Sequence, residues 1–186
     1  NAVLKRMKRQ YTVESYLELV ARGREIVPDL TLAGDFIVGF CGETEEEFQQ
    51  SVDLVRESRF KNSFIFKYSV RPGTKAAEVY PDDVPYDVKR RRNNELLDLQ
   101  NRISEEDNRQ LIGHTFDVLV EGPSKKDPRQ LAGRTENNRV VNFDASADLI
   151  GRFVTVRISE ALPNSLRGEL LAADDPGMAD KTVNWG

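Results

Sequence analysis

The sequence predicts an α/β segment followed by a small all-β barrel, and three observations carry that expectation. Helical and strand patterns alternate over residues 1–110, the hydrophobic period changes to two from His114, and five short strands then follow in about 60 residues. The domains read as 1–110 and 111–171, with a polar tail at 172–186 that is expected to fray.

Thr12 to about Val27 carries a helical pattern, with Val13, Tyr16, Leu17, Val20 and Ile26 near one face and Pro28 closing it. Leu30 to Phe40 is a mostly apolar run that fits a strand buried on both faces. Thr44 and Glu47 then form a capping-box signature, and Phe48, Val52 and Val55 give the following helix its inward stripe. Ser63 to Tyr68 reads as the next strand, so strand, helix and strand make a βαβ unit with parallel strands. A long helix runs from about Tyr86 to Gln110 with Val88, Leu96, Leu99 and Ile103 in its stripe. Beyond Gly113 the strands are expected at His114–Glu121, Gln130–Thr135, Arg139–Phe143, Phe153–Ser159 and Ser165–Leu171, which together suggest a closed barrel.

Composition excludes several classes. With 39% hydrophobic and 31% charged residues the chain is globular in type, and no apolar run reaches the roughly 18 residues that a membrane span needs. One cysteine, Cys41, and one histidine, His114, cannot build a disulfide framework, an iron–sulfur cluster or a thiolate zinc site. No signal-peptide pattern precedes the basic stretch at Lys5, Arg6, Lys8 and Arg9, and the chain reads as the tail of a longer protein. A net charge of −4 leaves any polyanion binding to local patches.

Three regions could carry chemistry. At Gly39-Phe-Cys-Gly-Glu43 a strand meets a helix, and glycines there let a ligand approach the backbone at the carboxyl end of a parallel strand; the plain alternative is a tight turn. Glu43 and Glu45–Glu47 read as capping and solvated charge, and Cys41 as a small buried residue. Arg71 places a guanidinium after the second strand, suited to a carboxylate or phosphate. Lys89-Arg-Arg-Arg92, spread around a helix, reads as a solvated collar with RNA contact as the alternative. In the β-rich part, Lys125, Lys126, Arg129, Arg134 and Arg139 gather near Phe143, an arrangement that suits phosphate holding and base stacking if Phe143 is not core.

Six segments in order resemble the tRNA methylthiotransferases of the MiaB type. They are Val3–Thr12, Asp35–Thr44, Tyr68–Thr74, Leu119–Ser124, Leu131–Phe143 and Asn164–Glu169. The resemblance covers residues 1 to about 171. It implies that 1–110 is the carboxyl-terminal part of a radical S-adenosylmethionine domain, a partial (β/α) barrel, and 111–171 an OB-like TRAM barrel that holds tRNA. It implies a reaction that adds a methylthio group to N6-dimethylallyladenosine beside the anticodon, with S-adenosylmethionine and two [4Fe–4S] clusters in the parent protein. The cysteines that would ligate those clusters are absent from this chain, and Cys41 stands where the family usually has proline. No catalytic residue, metal ligand or bound cofactor is therefore expected in this segment by itself.

The resemblance sets Gly39, Gly42, Glu43 and Arg71 beside the S-adenosylmethionine pocket. It makes Lys125, Lys126, Arg134, Arg139 and Phe143 the tRNA-contact candidates. The expected partners are the anticodon stem-loop and the missing amino-terminal domains of the same chain, with no membrane and a cytoplasmic location. A sheet edge left bare by absent strands predicts association through that edge. A stand-alone RNA-binding module remains the alternative from another class. Related methylthiotransferases acting on a ribosomal protein or on threonylcarbamoyladenosine remain alternatives within the enzyme class.

Overall fold

In the computed structural model, which describes residues 1–125 and 127–173, contacts divide the chain into two units, Asn1–Glu106 and a second beginning at Asp107. Lys126 lies outside the described residues, as does the expected tail from 174 onward.

The first unit runs α1 (Ala2–Arg6), α2 (Val13–Ile26), β1 (Ala33–Val38), α3 (Glu45–Ser58), β2 (Asn62–Lys67), α4 (Lys75–Val79) and α5 (Tyr86–Arg109), whose last turn passes into the second unit. Its strands pair in parallel from Ala33↔Asn62 to Val38↔Lys67, with α3 as the crossover. Thr44 caps α3 by accepting from the Glu47 amide, and Glu47 returns the bond to the Thr44 amide, so two orphan donors of the first turn are satisfied. Thr12 and Ser15 form the same box on α2. The core gathers Val38, Phe48, Val52, Val55, Phe60, Leu96, Leu99 and Ile103, the stripe positions of α3 and α5 meeting one face of the sheet.

Three details differ from the sequence expectation. The first strand is shorter than 30–40 and only one of its faces is covered, so Ile37, Phe64 and Phe66 stand 41%, 62% and 54% exposed on the other. Strand pairing explains this: Asp35↔Phe64 and Ile37↔Phe66 share that open face, while Phe36 and Val38 turn toward the helices. Ile26, assigned to the inner face of its helix, is exposed at the helix end. The short helices α1 and α4 were not expected, being too brief for periodicity to register.

The second unit is a closed barrel of β3 (Thr115–Pro123), β4 (Leu131–Thr135), β5 (Val140–Phe143), β6 (Phe153–Leu162) and β7 (Ser165–Ala173), ordered β3-β4-β5-β7-β6. All pairs are antiparallel except β5 with β7, and β3 closes the ring against β6. Alternation fills the interior with Val118, Val120, Leu131, Val141, Phe143, Val154, Val156, Ile158 and Leu166. At Gly133 β3 and β4 approach too closely for a side chain: a Cβ there would collide with the Leu119 carbonyl oxygen and the Val118 side chain.

Candidate functional site

The carboxyl ends of β1 and β2 are built around a turn that closes on itself. Gly39 and Gly42 take φ of 71° and 69°, values that glycine adopts without a Cβ penalty. The carboxylate of Glu43 folds back to accept from the Gly39 amide and from Arg92 Nη1 at 2.8 Å, and Arg92 also donates to the Glu43 carbonyl. Both side chains are almost wholly buried. Burial pushes the Glu43 carboxyl above its usual range, opposed by the Gly39 amide and by Arg92. The remaining donors of Arg92 reach Glu45, and its guanidinium lies 5.4 Å from the Phe48 ring centroid.

A second buried cation secures the neighbouring loops. Lys89 Nζ pairs with Asp82 and donates to the Tyr68 carbonyl at 3.2 Å, and its stem packs where a Gly39 Cβ would stand. The Gly42 amide donates to Asp83 Oδ1 at 2.7 Å, and the Gly42 carbonyl accepts from Arg6. Arg6 is otherwise held by Glu47, and that hydrogen bond lowers the Glu47 pKa.

These contacts correct two sequence expectations. Glu43 is a buried structural carboxylate, not solvated capping charge, because it is matched by a buried guanidinium. The basic run at 89–92 is not a solvated collar: Lys89 and Arg92 face inward and brace the turns, and only Arg90 and Arg91 are on the exposed side.

Beside this turn lies a pocket of about 440 Å3, walled by Ile37, Phe40, Tyr68, Val79 and Tyr80 and rimmed by Arg6, Lys8, Arg9 and Lys75. Phe40 meets Tyr68 edge-on at 4.9 Å, and burial pushes the Tyr68 phenol up to about 12. Of the residues picked from sequence, Gly39, Gly42 and Glu43 shape the turn, their amides and carboxylate being engaged internally. Arg71 is exposed, and neither it nor those three lines this pocket. The aromatic wall was missed by sequence reasoning, although Phe40 and Tyr68 each follow the end of a parallel strand, where ligands gather. Cys41 is buried, its thiol 3.9 Å from the Tyr80 carbonyl. Among the described residues no group of three His, Cys, Asp or Glu side chains could hold a metal ion, and no helix is long and apolar enough to cross a membrane.

In the barrel the sequence-picked cations divide. Lys125 is exposed. Arg134 is exposed and shared between Glu121 at 3.1 Å and Asn138 at 2.6 Å. Arg129 pairs with Asp127 at the surface. Arg139 is half-buried and donates to Asn108, which in turn donates to the Leu162 carbonyl; burial lowers its pKa. Arg139 therefore serves the fold more than the surface. Phe143 is fully buried in the barrel core and cannot stack on a base, because its position on β5 alternates in phase with buried Val141.

Residues 109–171 match the family model of the TRAM domain, the span occupied by the barrel. Over 96% of its length the chain is 50% identical to a tRNA-2-methylthio-N(6)-dimethylallyladenosine synthase of Rhodopirellula baltica. Proteins of the same name from Francisella philomiragia and Francisella tularensis subsp. novicida are 53% and 52% identical over 91% of the chain. The resemblance read from the six motifs is borne out by these relatives. The chain spans about 40% of the length of the relatives it matches.

Proposed function

We propose that this chain is the part of a tRNA-2-methylthio-N6-dimethylallyladenosine synthase that completes the S-adenosylmethionine pocket and holds the tRNA. The observation that carries this is that relatives of that name, about half identical, run through both units rather than through the barrel alone. A stand-alone RNA-binding module would need only the TRAM span at 109–171.

On this reading the parallel strands β1 and β2 are the last of a radical S-adenosylmethionine barrel, and the open face with Ile37, Phe64 and Phe66 lines its interior. When bound, S-adenosylmethionine and the iron–sulfur clusters supply the methyl group and the radical. The residues present fit the first of these. Phe40, Tyr68 and Tyr80 offer an aromatic wall for adenine, and the exposed ammonium and guanidinium of Lys8 and Arg9 suit its carboxylate. They do not fit the clusters, since ligand groups are lacking among the described residues, and no step through a cluster is assigned to this chain. Glu43 and Arg92 keep the Gly39–Gly42 turn closed so that Phe40 faces the pocket. A cytoplasmic location and the anticodon stem-loop as partner follow from the same reading, and Lys125 and Arg134 are its exposed phosphate contacts.

Nucleoside analysis of tRNA from a strain lacking the gene tests it. The expected result is N6-dimethylallyladenosine accumulating without its 2-methylthio derivative. An intact 2-methylthio product there, with loss of the modification on a ribosomal protein or on threonylcarbamoyladenosine, overturns the assignment.

A further inference from the structure

Phe143 being core leaves a question of which aromatic on the barrel could meet a base. Phe153, at the start of β6, is 53% exposed, and the strand register surrounds it with suitable chemistry. Leu119 of β3 pairs directly with Phe153 on one side and with Arg134 of β4 on the other. Directly paired residues project from the same face of a sheet, so Arg134, Leu119 and Phe153 form a row across three strands. All three are exposed, whereas their chain neighbours Val118, Val120, Gly133 and Val154 are buried. The turn before β6 precedes the row in sequence, and Ile150, at 42%, and Arg152 are exposed there. That turn is fixed, because the Val120 amide donates to the Arg152 carbonyl and the Gly151 amide to the Val120 carbonyl, both at 2.9 Å.

We propose that the Leu119–Phe153 surface of the barrel is a base-stacking platform for an unpaired RNA nucleotide, with Arg134 at the end of the row holding a flanking phosphate. It rests on the tRNA reading above and adds to it the face and the aromatic that do the holding. An apolar row that ends in a guanidinium group is complementary to a nucleotide, which joins a flat apolar base to an anionic backbone. The pairing of Arg134 with Glu121 does not oppose this. Both partners are about half exposed, and a surface ion pair of that kind is readily exchanged for a phosphate. Acidic groups share the outer face: Asp117, bonded to Thr155, and Glu169, paired with Arg157, lie away from Arg134, and Glu121 lies against it.

The test is binding of this whole chain to an RNA stem-loop carrying 2-aminopurine in its loop, followed by anisotropy and by quenching of the 2-aminopurine. Wild type is expected to bind with salt-dependent affinity and to quench the probe. Phe153→Ala should weaken binding about tenfold, the loss of one base–aromatic stack, and abolish the quenching. Phe153→Tyr should restore both. Phe153→Leu, which keeps the bulk and the fold but lacks a ring, should not. Equal affinity and quenching in wild type and Phe153→Ala would overturn the platform while leaving RNA binding by the barrel intact. No binding by wild type at any salt would overturn the RNA reading with it. Light scattering that shows wild-type self-association, lost in Phe153→Ala without a change in RNA affinity, would make the patch a protein interface and likewise overturn the proposal.

Discussion

The two units use polar residues in opposite ways. The barrel satisfies its strands by closing the ring from β3 round to β6, so its core cluster is apolar and, half-buried Arg139 apart, the cations read from its sequence stay at the surface. The α/β unit has a two-stranded sheet covered on one face only, and it draws two cations, Lys89 and Arg92, into buried positions to fasten the turns at the strand ends. Closure satisfies the barrel's strands without a buried ion pair among the described residues, and its outer face is then free to evolve toward a ligand. An open sheet has loops that must be held from behind, and the holding groups lie next to the pocket. Basic residues in this chain are therefore informative by depth: Lys89 and Arg92 are structural in the first unit, and in the second half-buried Arg139 is structural while Arg134 and Arg152 are exposed.

The largest effect that tests this contrast is expected from Arg92→Ala. It leaves the Glu43 carboxylate buried with only the Gly39 amide as partner, and removing one member of a buried pair costs about 3–5 kcal/mol. Urea unfolding followed by amide exchange should show Val52 and Val55 of α3 losing protection while Val118 and Val141 of the barrel keep theirs. A loss below about 1 kcal/mol, the size of a surface pair, would mean that the buried pair does not hold the turn.

A smaller effect, confined to the other unit, is expected from Gly133→Ala. The added methyl meets the Leu119 carbonyl oxygen, which is backbone and cannot rotate away, so β3 and β4 must part by a few tenths of an ångström or more. Overpacking of this kind costs about 1–3 kcal/mol. Here the protection pattern should invert, with Val118 and Val141 exchanging faster and Val52 unchanged. Equal loss in both units would show that they unfold as one and would break the contrast.

Much of this was legible from sequence because local signals and burial agree. The Thr44–Glu47 box, the Phe48, Val52 and Val55 stripe and the five strand positions all rest on short-range periodicity, and the structure keeps them. The depth of a charge is not a local property. Nothing within Lys89-Arg-Arg-Arg92 says which two residues point inward; that depends on Glu43 and Asp82 arriving from other elements. Phe143 and Phe153 were separable in principle. Strict alternation sets Phe143 in phase with Val141, and Phe153 out of phase with Val154 and Val156, so the pattern that located the strands could also have picked Phe153, in place of the Phe143 chosen from sequence, as the outward ring. The open face of β1 and β2 was not legible, since an apolar run looks the same whether or not a neighbour covers it.

The smallest effect concerns pH and the clasp at the front of α3. Arg6 donates to both carboxylate oxygens of Glu47, at 3.0 and 2.7 Å, and that hydrogen bond holds the Glu47 pKa below its usual value. A carboxyl whose folded pKa is depressed adds stability that is complete above its unfolded value, about 4.3, and disappears as pH falls through the lower folded one. Glu43 acts with the opposite sign: its raised pKa means the folded unit takes up that proton more readily, so acidification toward about 4.3 favours folding there. The two carboxylates can be separated by Glu47→Gln, which keeps the reach of the side chain and removes its charge. The stability difference between wild type and Glu47→Gln should be about 1 kcal/mol at neutral pH, remain constant down to about pH 4.3, and close as pH falls further. Urea midpoints measured across that range read it directly. A difference that persists unchanged to the acid limit would mean that Glu47 acts through its shape and its bond to the Thr44 amide, and that the charge of Arg6 contributes nothing to closing the turn.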